Sequence, residues 1–163
     1  MIILKKKILF VAGAAGMFLL LMLCPGCKKS TAADNGIVYF LVSEITPFHG
    51  DSFILLLSDP EDIATAEKIV NDINSTTTRI VSARIAKGSD DGNYLNKDLL
   101  SGNQRVWSWH VTEFFCFADV TAEIYDSWPG YVENHLDEWL QQDGIIGFWS
   151  YTVTRKVDAS ELQ

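Results

Sequence analysis

The stretch VWSWHVTEFFCFADVTAEIYD, residues Val106–Asp126, is the densest aromatic part of the chain and predicts the centre of a β-sheet. Apolar and polar residues alternate at its start, as they do in a strand that buries one face. The alternation places Trp107, Trp109 and Val111 on one side of the pleat and Ser108, His110 and Thr112 on the other. We therefore expect one buried face and one wetter face.

Further strand signals lie on both sides of this stretch. Ile37–Ser43 and Phe53–Leu57 are continuous apolar runs of the kind found in strands buried on both faces. The turn-forming residues Thr46–Asp51 between them predict a hairpin. Arg79–Lys87 alternates and predicts a third strand, and Ile145–Val157 predicts a last one.

Two amphipathic helices are predicted. Asp59 is suited to cap the first helix and Pro60 to occupy its first position, and the apolar stripe that follows continues to about Asn74. After the turn Ser127–Gly130, residues Tyr131–Gln142 form the second pattern. Its predicted buried side consists of Val132, Leu136, Trp139 and Leu140.

The order of these elements predicts the α+β class, with the two amphipathic helices packed on a mainly antiparallel sheet. A length of 163 residues and a hydrophobic fraction of 48% are sufficient for one domain with its own core. We place this single domain at residues 37–157 and expect the tail, residues 158–163, to fray.

The first 27 residues have the pattern of an export signal, with Lys5, Lys6 and Lys7 before an apolar run from Ile8 to Leu23. The polar residues 28–36 that follow predict a flexible tether. A signal segment that is retained as an uncleaved anchor is the alternative, although the apolar run is short for a bilayer span.

The end of this segment, Leu23-Cys24-Pro25-Gly26-Cys27, resembles the lipobox of bacterial lipoproteins. The resemblance implies that Cys27, preceded by the small Gly26, is acylated and becomes the first residue of the mature chain. Cys24 fits the pattern less well. The implied location is the cell envelope, with the membrane as partner through the N-terminal lipid. Lys28, in place of the aspartate associated with inner-membrane retention, favours an outer membrane where the cell has one.

The charge of the chain argues against nucleic acid as a partner. The formal charge is −8, and removal of the three leader lysines leaves 10 basic against 21 acidic residues, or about −11. We expect no cofactor and no metal. Asp90-Asp91-Gly92-Asn93 invites a calcium interpretation but lacks the EF-hand spacing, and Cys116 among phenylalanines is typical of a buried thiol.

Four segments together carry a resemblance to a known family: SDPEDIATAEKIV (58–70), NYLNKDLLSGNQRVWSWHV (93–111), EIYDSWPGYVENHLDEW (123–139) and GFWSYTVTRKV (147–157). They resemble the N-terminal domain of a eukaryotic calmodulin-binding protein, a domain also found alone in secreted bacterial proteins. The resemblance covers nearly all of Ile37–Val157 and implies the fold. It implies no activity, and calmodulin is not an expected partner because both predicted helices are acid-rich, whereas calmodulin targets are basic.

The sequence supports two function hypotheses from different classes. The first is a lipid-anchored binding or interaction domain whose protein or small-molecule ligand the sequence does not identify. Its candidate patch is Trp107, Trp109, His110, Glu123 and Asp126. The second is an enzyme in which His110 acts with Glu123 or Asp126 as a general base and its orienting carboxylate. We favour the binding domain because no catalytic pattern is recognisable.

Overall fold

The computed structural model describes residues 36–73, 79–90, 92, 94–119 and 127–163. The predicted signal segment, the tether up to residue 35, Glu123 and Asp126 lie outside these residues. No helix within the described ranges is long and apolar enough to cross a membrane.

The secondary structure consists of six strands and three α-helices. In chain order these are β1 (Val38–Glu44), β2 (Ser52–Leu57), α1 (Pro60–Asn71), β3 (Ile80–Lys87), β4 (Trp109–Ala118), α2 (Pro129–Asn134), α3 (Leu136–Gln142), β5 (Ile145–Ile146) and β6 (Tyr151–Val157). A final 3-10 helix, Ala159–Leu162, follows. The predicted α+β class is confirmed, and so is the hairpin, since β1 pairs with β2 in antiparallel register.

The strands form two antiparallel sheets of three strands, in the orders β2-β1-β6 and β4-β3-β5. The segment Ile145–Val157, predicted as one strand, changes sheet: its first part pairs with β3 and its second with β1. A turn closed by the Tyr151 N–H and the Phe148 carbonyl, 3.0 Å apart, separates the two parts. Periodicity predicted the strand character but not this interruption.

The main core lies between the two sheets and is closed by the helices. Phe40, Val42, Phe53 and Leu55 of the first sheet and Val81, Ala83 and Ile85 of the second belong to it. Ala66 and Ile69 of α1 are also fully buried within it. A smaller cluster on the opposite face of the first sheet contains Leu41, Ile54, Tyr94, Val157 and Leu162.

The first helix begins as predicted, because the Asp59 carboxylate accepts hydrogen bonds from the N–H groups of Glu61 and Asp62 at 2.8 and 3.3 Å. It ends at Asn71. The second predicted helix is interrupted at His135, whose φ of −127° is not helical. The His135 ring Nδ1–H donates to the Tyr131 carbonyl at 3.0 Å, so the side chain uses a backbone acceptor of the preceding turn.

The expectation that the tail frays was wrong. Asp158 and Glu161 form a reciprocal capping box that begins the final 3-10 helix. Leu162 is buried in the smaller apolar cluster, and Glu161 makes a two-pronged contact with the Arg155 guanidinium. Buried apolar surface and a charge-assisted hydrogen bond together hold the last turn in place.

The first sheet has two distinct ends, which we call the tether pole and the loop pole. β1 runs from Val38, next to the tether, to Glu44 at the hairpin loop, a length of about 20 Å for a strand of seven residues. β6 runs the other way, with Glu44 opposite Tyr151 and Tyr39 opposite Val157. The hairpin loop and the turn before β6 therefore share the loop pole, opposite the point where the tether leaves the domain.

Candidate functional site

The two tryptophans of the predicted patch lie inside the core. Trp107 and Trp109 are both 0% exposed, and their rings stack with centroids 5.9 Å apart. The Trp107 Nε1–H donates to the Ser52 carbonyl at 2.8 Å, which joins this ring to the start of β2. Their placement on the buried side of the pleat agrees with the alternation of the sequence, and neither ring forms part of the surface.

His110, on the side predicted to be wetter, is only 8% exposed. Its Nδ1–H donates to the Gly88 carbonyl at 2.8 Å, so the ring is held against the turn that follows β3. Glu123 and Asp126 lie outside the described residues, and the pairing of His110 with either carboxylate stays a prediction.

A different polar cluster lies at the loop pole, centred on Glu44. One Glu44 carboxylate oxygen accepts from the N–H groups of Phe48, His49 and Gly50 at 2.6, 2.8 and 3.4 Å. The other oxygen accepts from the His49 ring Nδ1–H at 2.9 Å. The carboxylate thus organises the hairpin loop and sets the orientation of the His49 ring, much as a carboxylate orients an imidazole in many binding and catalytic sites.

The hydrogen bonds of this cluster govern the charge of Glu44. Burial by itself would raise the pKa of Glu44, but the bonds from Phe48, His49 and Gly50 outweigh burial and hold the pKa below its ordinary value of 4.5. Glu44 is therefore an ionised acceptor at neutral pH.

His49 is joined to a row of aromatic rings contributed by the hairpin loop and by α2. Its ring stacks on Trp128 with centroids 4.2 Å apart and an interplanar angle of 10°. The row, which we call the aromatic ribbon, consists in spatial order of Phe48, His49, Trp128, Tyr131 and His135. Phe48 is 85% exposed and Tyr131 37% exposed, so the ribbon forms part of the surface of the loop pole.

A buried acid fastens the ribbon to the first sheet. Asp51 accepts from the Gly130 N–H at 2.9 Å and from the Tyr151 hydroxyl, and these contacts tie the start of α2 to both the hairpin loop and β6. Burial raises the pKa of Asp51, against the opposing effect of these two hydrogen bonds. Burial, and then the bond to Asp51, raise the pKa of Tyr151 above its ordinary value of 10.0.

The close fit at Gly130 explains why this position lacks a side chain. A Cβ atom at Gly130 would lie 3.1 Å from the Asp51 carboxylate and 3.2 Å from the Trp128 indole nitrogen. The backbone of α2 approaches the buried acid and the ribbon too closely for a larger residue to fit without displacing them.

Sequence analysis missed this cluster. It placed His49 at a solvated loop tip, whereas the His49 side chain is only 27% exposed and is fixed between Glu44 and Trp128. Asp51 and Gly130, which join the two halves of the site, are 79 positions apart in the chain. The available signal was local: an acid, a histidine and a second acid flank one hairpin turn.

The arrangement suits ligand binding by ring contacts more than metal coordination. No group of three or more histidine, cysteine or acidic side chains within the described ranges is placed to hold a metal ion. At the segment considered for calcium, the Asp90 carboxylate accepts from the Gly92 N–H at 2.9 Å, as in an ordinary turn.

The two acids of the cluster predict opposite effects of pH on stability. The folded-state pKa of Glu44 is lowered, so the stability this group contributes is present above its unfolded-state pKa and is lost as the pH falls. The folded-state pKa of Asp51 is raised, so its contribution is present at low pH and is lost as the pH rises through that pKa.

Replacement of Glu44 by glutamine should therefore destabilise the protein most at neutral pH and progressively less in acid. Asp51→Asn, the matched control, should show the opposite trend, with its largest relative destabilisation in acid. The measurement is the free energy of unfolding by denaturant between about pH 3 and 7. Parallel pH profiles for the two variants would contradict the assigned directions.

Comparison with known protein families gave one match. The family model for the N-terminal domain of a calmodulin-binding protein matches residues 37–160. Searches of curated proteins and of solved structures found no match. The family match spans all the strands and helices of the domain except the last residues of the 3-10 helix, and it confirms the resemblance inferred from the four sequence segments.

Proposed function

The chain belongs to the family of calmodulin-binding-protein N-terminal domains, and from this premise we propose that it is a binding domain held at the bacterial cell envelope by an N-terminal lipid. The observation that carries the binding function is the aromatic ribbon. Exposed aromatic side chains grouped on one surface are a common mark of an interaction site. Glu44 and Asp51 hold these rings from below, so the surface is formed before a ligand arrives.

The position of the ribbon supports the same proposal. The tether enters the domain at Ile37, beside β1, whereas Phe48 and His49 lie at the opposite end of that strand. A domain attached to a membrane at the tether pole presents its loop pole to the surroundings. The ribbon is then accessible to partners that are not in the same membrane.

The enzyme hypothesis has a weaker basis. It requires His110 to act with Glu123 or Asp126 near a substrate, and the His110 ring is buried with its Nδ1–H committed to the Gly88 carbonyl. His49 is the more accessible histidine and is oriented by a carboxylate, but an oriented imidazole is equally suited to binding.

Lipid attachment is tested by replacing Cys27 with alanine. We expect the wild-type protein to incorporate labelled fatty acid and to fractionate with membranes, and Cys27→Ala to lose the label, because the acylated thiol is absent. Cys24→Ala is the matched control and should keep the label.

Two results would contradict this assignment. Label that persists in Cys27→Ala and disappears in Cys24→Ala would move the lipid to Cys24. Wild-type protein that is membrane-bound, unlabelled and still carries its first residues would identify an uncleaved anchor instead.

A further inference from the structure

The surface around the aromatic ribbon contains acids and no basic residues in its own segments. Residues 127–150, which include α2 and α3, contain no lysine or arginine, and neither does the hairpin loop, residues 45–51. The acids of these two segments are Asp51, Glu133, Asp137, Glu138 and Asp143. The loop pole is therefore both aromatic and negatively charged.

These acids differ in how far they are already engaged. Asp51 is buried, Glu133 accepts from the Ser108 N–H and hydroxyl at 2.9 and 3.0 Å, and Asp137 contacts Lys87 at 2.9 Å. Glu138 is exposed and lies one turn of α3 beyond His135, the last ring of the ribbon. Its carboxylate is thus close in the chain to the ribbon and open to solvent.

Resting on the proposed binding function, we propose that the loop pole binds an arginine- or lysine-rich segment of a partner protein. The cationic side chains contact the rings of the ribbon and the carboxylate of Glu138. A cation over an aromatic face is attracted by the ring quadrupole, and an acidic surface attracts a basic partner over a longer range. The same type of contact occurs within the chain, where Arg84 lies 5.4 Å from the Phe115 ring and Arg105 lies 5.2 Å from the Trp107 ring.

The length of the ribbon favours a peptide segment over a single small cation. Successive ring centroids are 4.9, 4.2, 5.4 and 4.1 Å apart from Phe48 to His135. An extended chain of about five residues spans a comparable distance. The overall negative charge of the chain disfavours anionic partners such as acidic lipid surfaces or nucleic acid.

The test uses the protein purified from membranes in a non-ionic detergent. The probe is an end-blocked octapeptide of alternating arginine and serine, and octapeptides with glutamine or glutamate in place of arginine are the controls. Affinity is measured by titration calorimetry at low and high salt. We expect the arginine peptide to bind, the two control peptides to bind at least about tenfold more weakly, and the affinity to fall with added salt.

Variants then locate the binding surface. Phe48→Ala removes a ring that is 85% exposed, so the fold should be unaffected, while the affinity should fall by about threefold or more. Val106→Ala, at an exposed apolar residue outside the ribbon, is its control and should bind as the wild type does. Glu138→Lys should weaken binding more than Glu113→Lys, which makes the same change of charge on β4 of the other sheet.

Three outcomes would overturn the inference. These are failure of the arginine peptide to bind, equal binding of the glutamine peptide, and equal losses for Glu138→Lys and Glu113→Lys, which would indicate an effect of net charge alone. None of them affects the lipid-labelling result, so the anchor and the ligand class fail or succeed independently. An unlabelled Cys27 would likewise leave the peptide titration unchanged.

Discussion

Replacing Trp107 with alanine is expected to lower the free energy of unfolding by about 3–5 kcal/mol, the usual effect of emptying a large aromatic site in a core. Trp107 is 0% exposed and stacks on Trp109, so its loss leaves a cavity between the two sheets. The substitution also removes the donor that satisfies the Ser52 carbonyl. Both effects act in the same direction.

The measurement is equilibrium unfolding in denaturant, with Trp149→Ala as the matched control. The Trp149 ring is 51% exposed, so its removal should change the free energy of unfolding by no more than about 0.5 kcal/mol. Equal losses for the two variants would mean that the burial assigned to Trp107 is wrong.

Replacing Asp98 with alanine is expected to lower the free energy of unfolding by about 3 kcal/mol or more. Asp98 is only 2% exposed. Its Oδ1 atom accepts from the Ser52 N–H at 3.0 Å, the Ser52 hydroxyl at 2.9 Å, and the N–H groups of Leu100 and Ser101 at 3.1 and 3.2 Å. Alanine leaves these donors without their acceptor, and each bond to a charged group is worth about 1.5–3 kcal/mol.

Asp90→Ala is the control for this second prediction. Asp90 also uses a carboxylate oxygen to accept a backbone N–H, that of Gly92, but in an exposed turn where water replaces the acceptor. Its loss should change the free energy of unfolding by less than about 1 kcal/mol. If Asp98→Ala were as mild as Asp90→Ala, water would have to reach the donors around Ser52.

Asp98 and Asn96 show a role that pattern analysis assigned only to loop. The segment that contains them runs between the two sheets: the Asn96 side chain accepts from the Ile54 N–H at 2.9 Å and donates to the Trp109 carbonyl at 2.8 Å. Residues of this kind link β2 to β4 without forming a strand of their own. Polar side chains that satisfy the backbone of distant strands have no periodicity by which to recognise them.

The sequence by itself determined the local elements. Continuous apolar runs marked β1 and β2, Asp59 and Pro60 marked the start of α1, and alternation marked the buried side of Trp107 and Trp109. Each depends on neighbouring residues: on which sides of a pleat are apolar, and on which side chain reaches the first free N–H groups of a helix. The family resemblance was carried by the same kind of local pattern.

Only the tertiary structure decided how these elements meet. It divided Ile145–Val157 between two sheets, buried Leu162 of the expected loose tail, and stacked His49 on Trp128. Periodicity shows that a face is buried but not which surface covers it, because many pairings of apolar faces bury similar areas. The choice among them depends on contacts between residues far apart in the chain, and the site at the loop pole is composed of such contacts.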